Sequence, residues 1–275
     1  MSLLLSAEYR KVFSTKLWWA LLIPAAVVSL AFTWGGAAIG ALGELSSRGP
    51  FPVALPAFAQ GISIATVFAL ILGGTAVTGE MRHKTITTSY LTAPSRGSVL
   101  VAKQLVYASM GALYGLVCML AATLGALLGD NFPDAKAWFT VAGVGVIAMI
   151  LWTLFGVGLG ALIGNQLGTI VGGVVYAIVV EPIANTVMRF NDLGEIPPFL
   201  PNKTSSDMVS TLSMDLFVQG LPAGLRRGEY LDNQARELLG LQYSPSWWGS
   251  GLLFIAWTTV FGLAGHLTAR RRDIT

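Results

Sequence analysis

The chain has 275 residues, of which 54% are hydrophobic and only 11% charged, with a formal net charge of +3. Together with a mean hydropathy of +0.66, these figures exclude a soluble globular domain. The pI near 9.1 comes from one set of loops, and it reads as topology and headgroup attraction rather than nucleic-acid binding.

Residues 2–16 place Leu5, Tyr9, Val12 and Phe13 at helical spacing, with Glu8, Arg10, Lys11 and Lys16 largely on the other side. The pattern predicts an amphipathic helix lying along the inner membrane surface, with an ordinary positively charged flank as the alternative. An uncharged run over 17–43 follows, opened by Trp18 and Trp19, whose rings favour the interface. It predicts a first span at about 17–42. The run is too long for a cleaved signal peptide and no convincing small-residue cleavage site follows, so the helix is retained. Pro50, Pro52 and Pro56 place the second span at about 57–78. Segment 79–103, dense in charge and hydroxyls, predicts a long loop before a third span at 104–128. Cys118 falls inside that span, which excludes an internal disulfide.

No charged residue occurs over 137–180, which is enough for two helices, and the polar break at 164–168 divides them into spans at 138–164 and 167–188. The last span, 247–268, opens at Trp247 and Trp248. Each run matches the need for about 20 apolar residues to cross a hydrocarbon core about 30 Å thick. No water inside the bilayer satisfies a bare backbone, so each is a helix. The prediction is an all-α polytopic membrane protein with six transmembrane helices in one transmembrane domain.

Loop charges orient it. One side carries Arg10, Lys11, Lys16, Arg82, Lys84, Arg96, Lys103, Arg270, Arg271 and Arg272 against Glu8, Glu80 and Asp273. The short loops on the other side hold only Arg48 and Lys136 beside Glu44, Asp130 and Asp134. The positive-inside rule makes both termini cytoplasmic and segment 189–246 external. Within that segment, short helices are predicted at 207–221 and 229–239, the second with an Asp232–Arg236 pair, so it reads as a small helical external cap. Glycines four residues apart at 156, 160, 164, 168 and 172 predict close helix packing.

Several chemistries are missing. No phosphate-binding loop occurs, so the chain binds no ATP in that way. The two histidines, His83 and His266, have no metal-ligand cluster around them, and no G-x-S-x-G elbow is present. The one acid inside an apolar stretch is Glu181, followed by Pro182. Two readings stand open: structural pairing with the interface or Arg189, ranked first, and a gating or substrate role.

With these elements in place, the opening Leu5-Ser6-Ala7-Glu8-Tyr9-Arg10-Lys11-Val12-Phe13-Ser14-Thr15-Lys16-Leu17-Trp18 resembles the start of bacterial type-2 ABC exporter permeases. Glu80, Thr85, Pro94, Arg96 and Lys103 look like that family's segment between its second and third spans, and Phe199-Leu200-Pro201 is similar to its last external loop. The resemblance covers nearly the whole chain in topology, through short and degenerate motifs. It implies a permease subunit in a bacterial plasma membrane that pairs with a second permease copy or homologue and binds two ABC ATPase subunits. ATP and Mg would be held by the ATPase, with no cofactor on this chain. Contacts to the ATPase would be made by Glu8, Arg10, Lys11, Glu80, Arg82, Thr85, Pro94 and Arg96, with 79–103 as the coupling loop. The 189–246 segment is longer than the short external loops of minimal members. Hydrophobic drugs, antimicrobial peptides, lipids and polysaccharides are the family's substrate classes. A membrane sensor or assembly subunit is the alternative from another class; 79–103 read from its residues alone is equally a solvated loop facing headgroups.

Overall fold

The computed structural model describes residues 2–47, 51–82, 96–222, 236–237 and 240–271. Six helices are long and apolar enough to cross a membrane, and no strand occurs among the described residues. A short helix, α1 (Ser2–Ser14), precedes the first four spans: α2 (Leu17–Ser47), α3 (Ala54–Arg82), α4 (Arg96–Leu128) and α5 (Ala135–Ile163). The fifth span is composite: α6 (Gln166–Val175), a π-helical turn (Tyr176–Val180) and α7 (Glu181–Phe190). Then come α8 (Pro201–Gly220) and the last span, α9 (Trp247–Arg271).

The bundle is built around α3 and α5. Of their apolar windows 56% and 61% is buried, against 17% for α2 and 22% for each of the last two spans. Lipid supplies no hydrophobic force between helices, so close backbone contact has to hold them together. Small residues permit it here. A Cβ at Gly73 would collide with the Thr153 carbonyl and one at Gly156 with the Leu70 carbonyl, while one at Gly160 would stand 2.7 Å from the Gly74 carbonyl oxygen. The glycine series is therefore not one packing stripe. Gly156 and Gly160 form the crossing, Gly164 ends α5 in the left-handed region at φ 69°, and Gly172 faces open space. Gly156→Leu is expected to drive α3 and α5 apart and to abolish the monodisperse peak in size-exclusion chromatography, whereas Gly172→Leu leaves it intact.

The charged ends of two spans lie inside helices, not in a loop. The apolar runs stop near 78 and restart near 104, but α3 continues to Arg82 and α4 already begins at Arg96. Residues 79–82 and 96–103 of the expected 79–103 loop are accordingly helical, and Thr85 and Pro94 lie outside the described residues. Hydropathy ends where the first charge appears; the helices continue because those charges neutralise one another, as described below. The second span likewise starts three residues earlier than expected, since Pro56 sits in its first turn, where a missing N–H costs no hydrogen bond.

Segment 189–246 differs most from expectation. Its helix runs over Pro201–Gly220 instead of 207–221, and it packs between α3, α5 and α9. Trp152, past the midpoint of α5, donates its indole N–H to Ser205 Oγ at 2.7 Å. At the other end of α8, Phe217 meets Phe51 edge-on at 5.6 Å, just before α3 begins. The helix thus starts at depth and rises toward the end of the bundle. Of the second expected helix, 229–239, only residues 236–237 are described, and Asp232 lies outside them. Arg236 is bonded to Asp215 of α8.

Candidate functional site

The N-terminal helix is fastened by charge. Leu5, Glu8, Tyr9 and Val12 recur at i, i+3, i+4 and i+7, so they share one face. That face is turned to the bundle: Val12 and Glu8 are buried, while Arg10 is exposed. The expectation that Glu8 sits with the solvated charges is corrected here, because it lies on the buried stripe. Tyr9 Oη and Ser109 Oγ of α4 share a hydrogen bond at 2.7 Å, and Phe13 meets Trp18 edge-on at 5.3 Å.

Four charged side chains close a ring where α1, α3 and α4 meet. Lys103 Nζ donates to Glu8 Oε2 and Glu80 Oε1, both at 2.7 Å; Lys11 Nζ donates to Glu8 Oε1 and the same Glu80 Oε1, both at 2.6 Å. Two cations alternate with two carboxylates, so the ring carries no net charge. The Lys103 side chain is 2% exposed and Glu8 6%, whereas Lys11 is 44% exposed and forms the wet edge. Burying isolated charges at this depth would cost several kcal/mol each, and the ring geometry is what offsets that cost. Burial by itself would push the Lys11 ammonium down. Its hydrogen bonds to Glu8 and Glu80, with their charges, outweigh burial and raise its pKa above the ordinary lysine value. A cavity of about 460 Å³ opens beside the ring, bordered by Thr15, Thr75, Gly79 and Gln166.

Of the residues expected to meet a partner, the structure brings together Glu8, Lys11 and Glu80. Arg82 is exposed and donates to Gln166 Oε1 at 3.3 Å, which links α3 to the start of the fifth span. Arg96 opens α4, and its side chain lies outside the described residues. Lys103 is the member that the loop reading missed as a site residue. The available signal was its setting: Val99, Leu100 and Ala102 precede it and Leu105 and Val106 follow, so an apolar helix runs through the cation. A lysine so placed requires anionic partners.

Glu181 occupies a second site at mid-span. Its Oε2 accepts the backbone N–H of Asn202 at 3.0 Å and its Oε1 that of Lys203 at 2.5 Å. These are the second and third residues of α8, whose proline start and Leu200 cap provide no side-chain acceptor. A carboxylate from another helix therefore performs the capping, at the positive end of the helix dipole. Pairing with Arg189 does not occur; that guanidinium donates instead to the Glu237 carbonyl at 3.3 Å.

The π turn completes this arrangement. The Glu181 N–H reaches the Tyr176 carbonyl, one residue beyond the α-helical partner, and Pro182 has no N–H. The Ala177 carbonyl consequently loses both helical donors. Asn202 supplies the replacement through its side-chain amide at 3.0 Å. Two neighbouring defects in a membrane helix are thus repaired by the first turn of α8.

Compared with known proteins, the chain matches no family model and no curated protein.

Proposed function

We propose that this chain is the permease subunit of an ATP-binding cassette exporter, working as a dimer in a bacterial plasma membrane with both termini cytoplasmic and driven by two separate ATPase subunits. The observation that carries the reading is the ring of Glu8, Lys11, Glu80 and Lys103. It joins α1 to the two helix ends that flank segment 83–95. A partner pressing on that segment or on α1 would move α1, α3 and α4 together, because the ion ring cannot open without exposing buried charge. Coupling requires contacts that differ between two states, and this end of the bundle concentrates the charge that could make them.

On this reading α1 lies in the membrane interface with Arg10 outward, and Arg82, Thr85, Pro94 and Arg96 face the ATPase. Glu8, Lys11 and Glu80 act by transmitting the push rather than by touching the partner. The fifth span leaves Val171, Ile178 and Val179 exposed, a surface for the second permease copy. Segment 189–246, with α8 inserted from its far end, forms the external side of the pathway.

The double variant Glu80→Ala with Arg82→Ala tests the assignment. Expected is reduced recovery of the ATPase with the permease and at least tenfold lower transport. Unchanged copurification together with unchanged transport would remove the coupling role from this end of the bundle.

A further inference from the structure

At the opposite end of the bundle lies a polar cavity of about 310 Å³, within the range of small-ligand pockets, about 300–1,000 Å³. Its walls come from four parts of the fold: Gln60 of α3, Asn185 and Arg189 of α7, Lys203 of α8, and Gln242 and Tyr243 from the turn before α9. We propose that this pocket binds a phosphate ester bearing free hydroxyl groups, the chemistry of a glycerol-phosphate headgroup.

Charge points to an oxyanion. Among the described residues, the lining holds two cations and no carboxylate. Lys203 is answered by Asp207 beneath it. The Arg189 guanidinium makes its hydrogen bond to a backbone carbonyl, that of Glu237, and no carboxylate lies within ion-pair reach of it among the described residues. The nearby Glu181 is committed to the N–H groups of α8. An arginine left with most of its planar fork of donors suits phosphate in two-point fashion.

The hydroxyls follow from Asn185. Its amide oxygen is buried and has no hydrogen-bond partner among the described residues. An unmet buried acceptor is costly, and a phosphate dianion has no donor to offer it. A hydroxyl on the same ligand does. Gln60, Gln242 and Tyr243 add further groups that donate and accept. Such a ligand has two sources: an anionic lipid headgroup, reached past the lipid-facing Ile183, Val187 and Phe190 of α7, or a soluble polyol phosphate.

The test uses the full chain, in phosphatidylcholine nanodiscs with and without phosphatidylglycerol, and separately titrated with glycerol 3-phosphate. Thermal stabilisation is read for wild type, Arg189→Gln and Asn185→Leu, the latter leaving the Arg189–Glu237 bond in place. Expected is stabilisation by at least one probe, with apparent affinity at least tenfold weaker in both variants. A response to phosphatidylglycerol alone identifies a lipid as the source, and one to glycerol 3-phosphate alone a soluble ligand. No response to either probe, or an equal response in wild type and a well-folded variant, overturns the proposal; Gln242→Ala serves where a variant elutes as aggregate. Binding is read on this chain alone, so the outcome is independent of any ATPase.

Discussion

Lys103→Met is expected to be among the most damaging single substitutions in the protein, costing about 3–5 kcal/mol, the range for removing one partner from a buried ion pair. Methionine fills nearly the same space, so packing is retained and the loss is electrostatic. Glu8 and Glu80 would face each other inside the helix junction with only the half-exposed Lys11 between them. The measurement is the thermal midpoint of purified protein, with protease susceptibility of α1 as a local readout. Adding Glu80→Gln to Lys103→Met removes the orphaned charge and is expected to restore much of the midpoint. A Lys103→Met protein as stable as wild type, with α1 still protected, would show that the ring is not what fastens the helix.

The protonation of Lys11 adds a sign to this account. Its folded pKa is raised, so its contribution is fully present below the unfolded lysine value and is lost only as pH climbs through the higher folded one. The wet edge of the ring therefore stays closed across the neutral range.

Glu181→Leu is the second large effect. It strips the acceptors from the N–H groups of Asn202 and Lys203 at a helix start packed inside the bundle. An N-cap lost in water costs about 1 kcal/mol, and each backbone group left unsatisfied away from water costs several. The expected loss is about 2–5 kcal/mol, with release of α8 from its slot. Glu181→Gln keeps the length and one acceptor, so about 1–2 kcal/mol is expected. The order wild type, Gln, Leu in thermal midpoint checks the capping role. If Glu181→Leu kept wild-type stability but lost transport, the carboxylate would belong to the pathway instead.

Where the sequence was legible, simple physics explains why. Uncharged runs locate the six spans, because length and apolarity alone decide whether a helix can cross a bilayer. Charge hid the rest. Glu80 and Lys103 are far apart in the chain and each reads as a loop residue; only their contact shows that two helices extend through them. Glu8 stands between Leu5 and Val12 on the apolar stripe, but the general preference of a carboxylate for water masks that place until its lysine partners are seen. The entry of α8 into the bundle had no such clue. Thr204, Asp207, Ser210 and Ser213 make it look like a solvated surface helix, although all four are buried. Glu181 stands out as an acid in an apolar stretch, but Asn202 is an ordinary polar residue until the π turn and Pro182 leave the Ala177 carbonyl for it to satisfy.

The coupling account is tested most directly by isolating this chain from its native membrane in gentle detergent and assaying the eluate for ATP hydrolysis. Recovery of a P-loop ATPase near one-to-one stoichiometry, with vanadate-sensitive hydrolysis that falls in the Lys103→Met variant, is the predicted result. Recovery of intact, monodisperse chain with no ATPase would contradict it and leave the far end of the bundle, with its polar pocket and inserted helix, as the place where the protein acts.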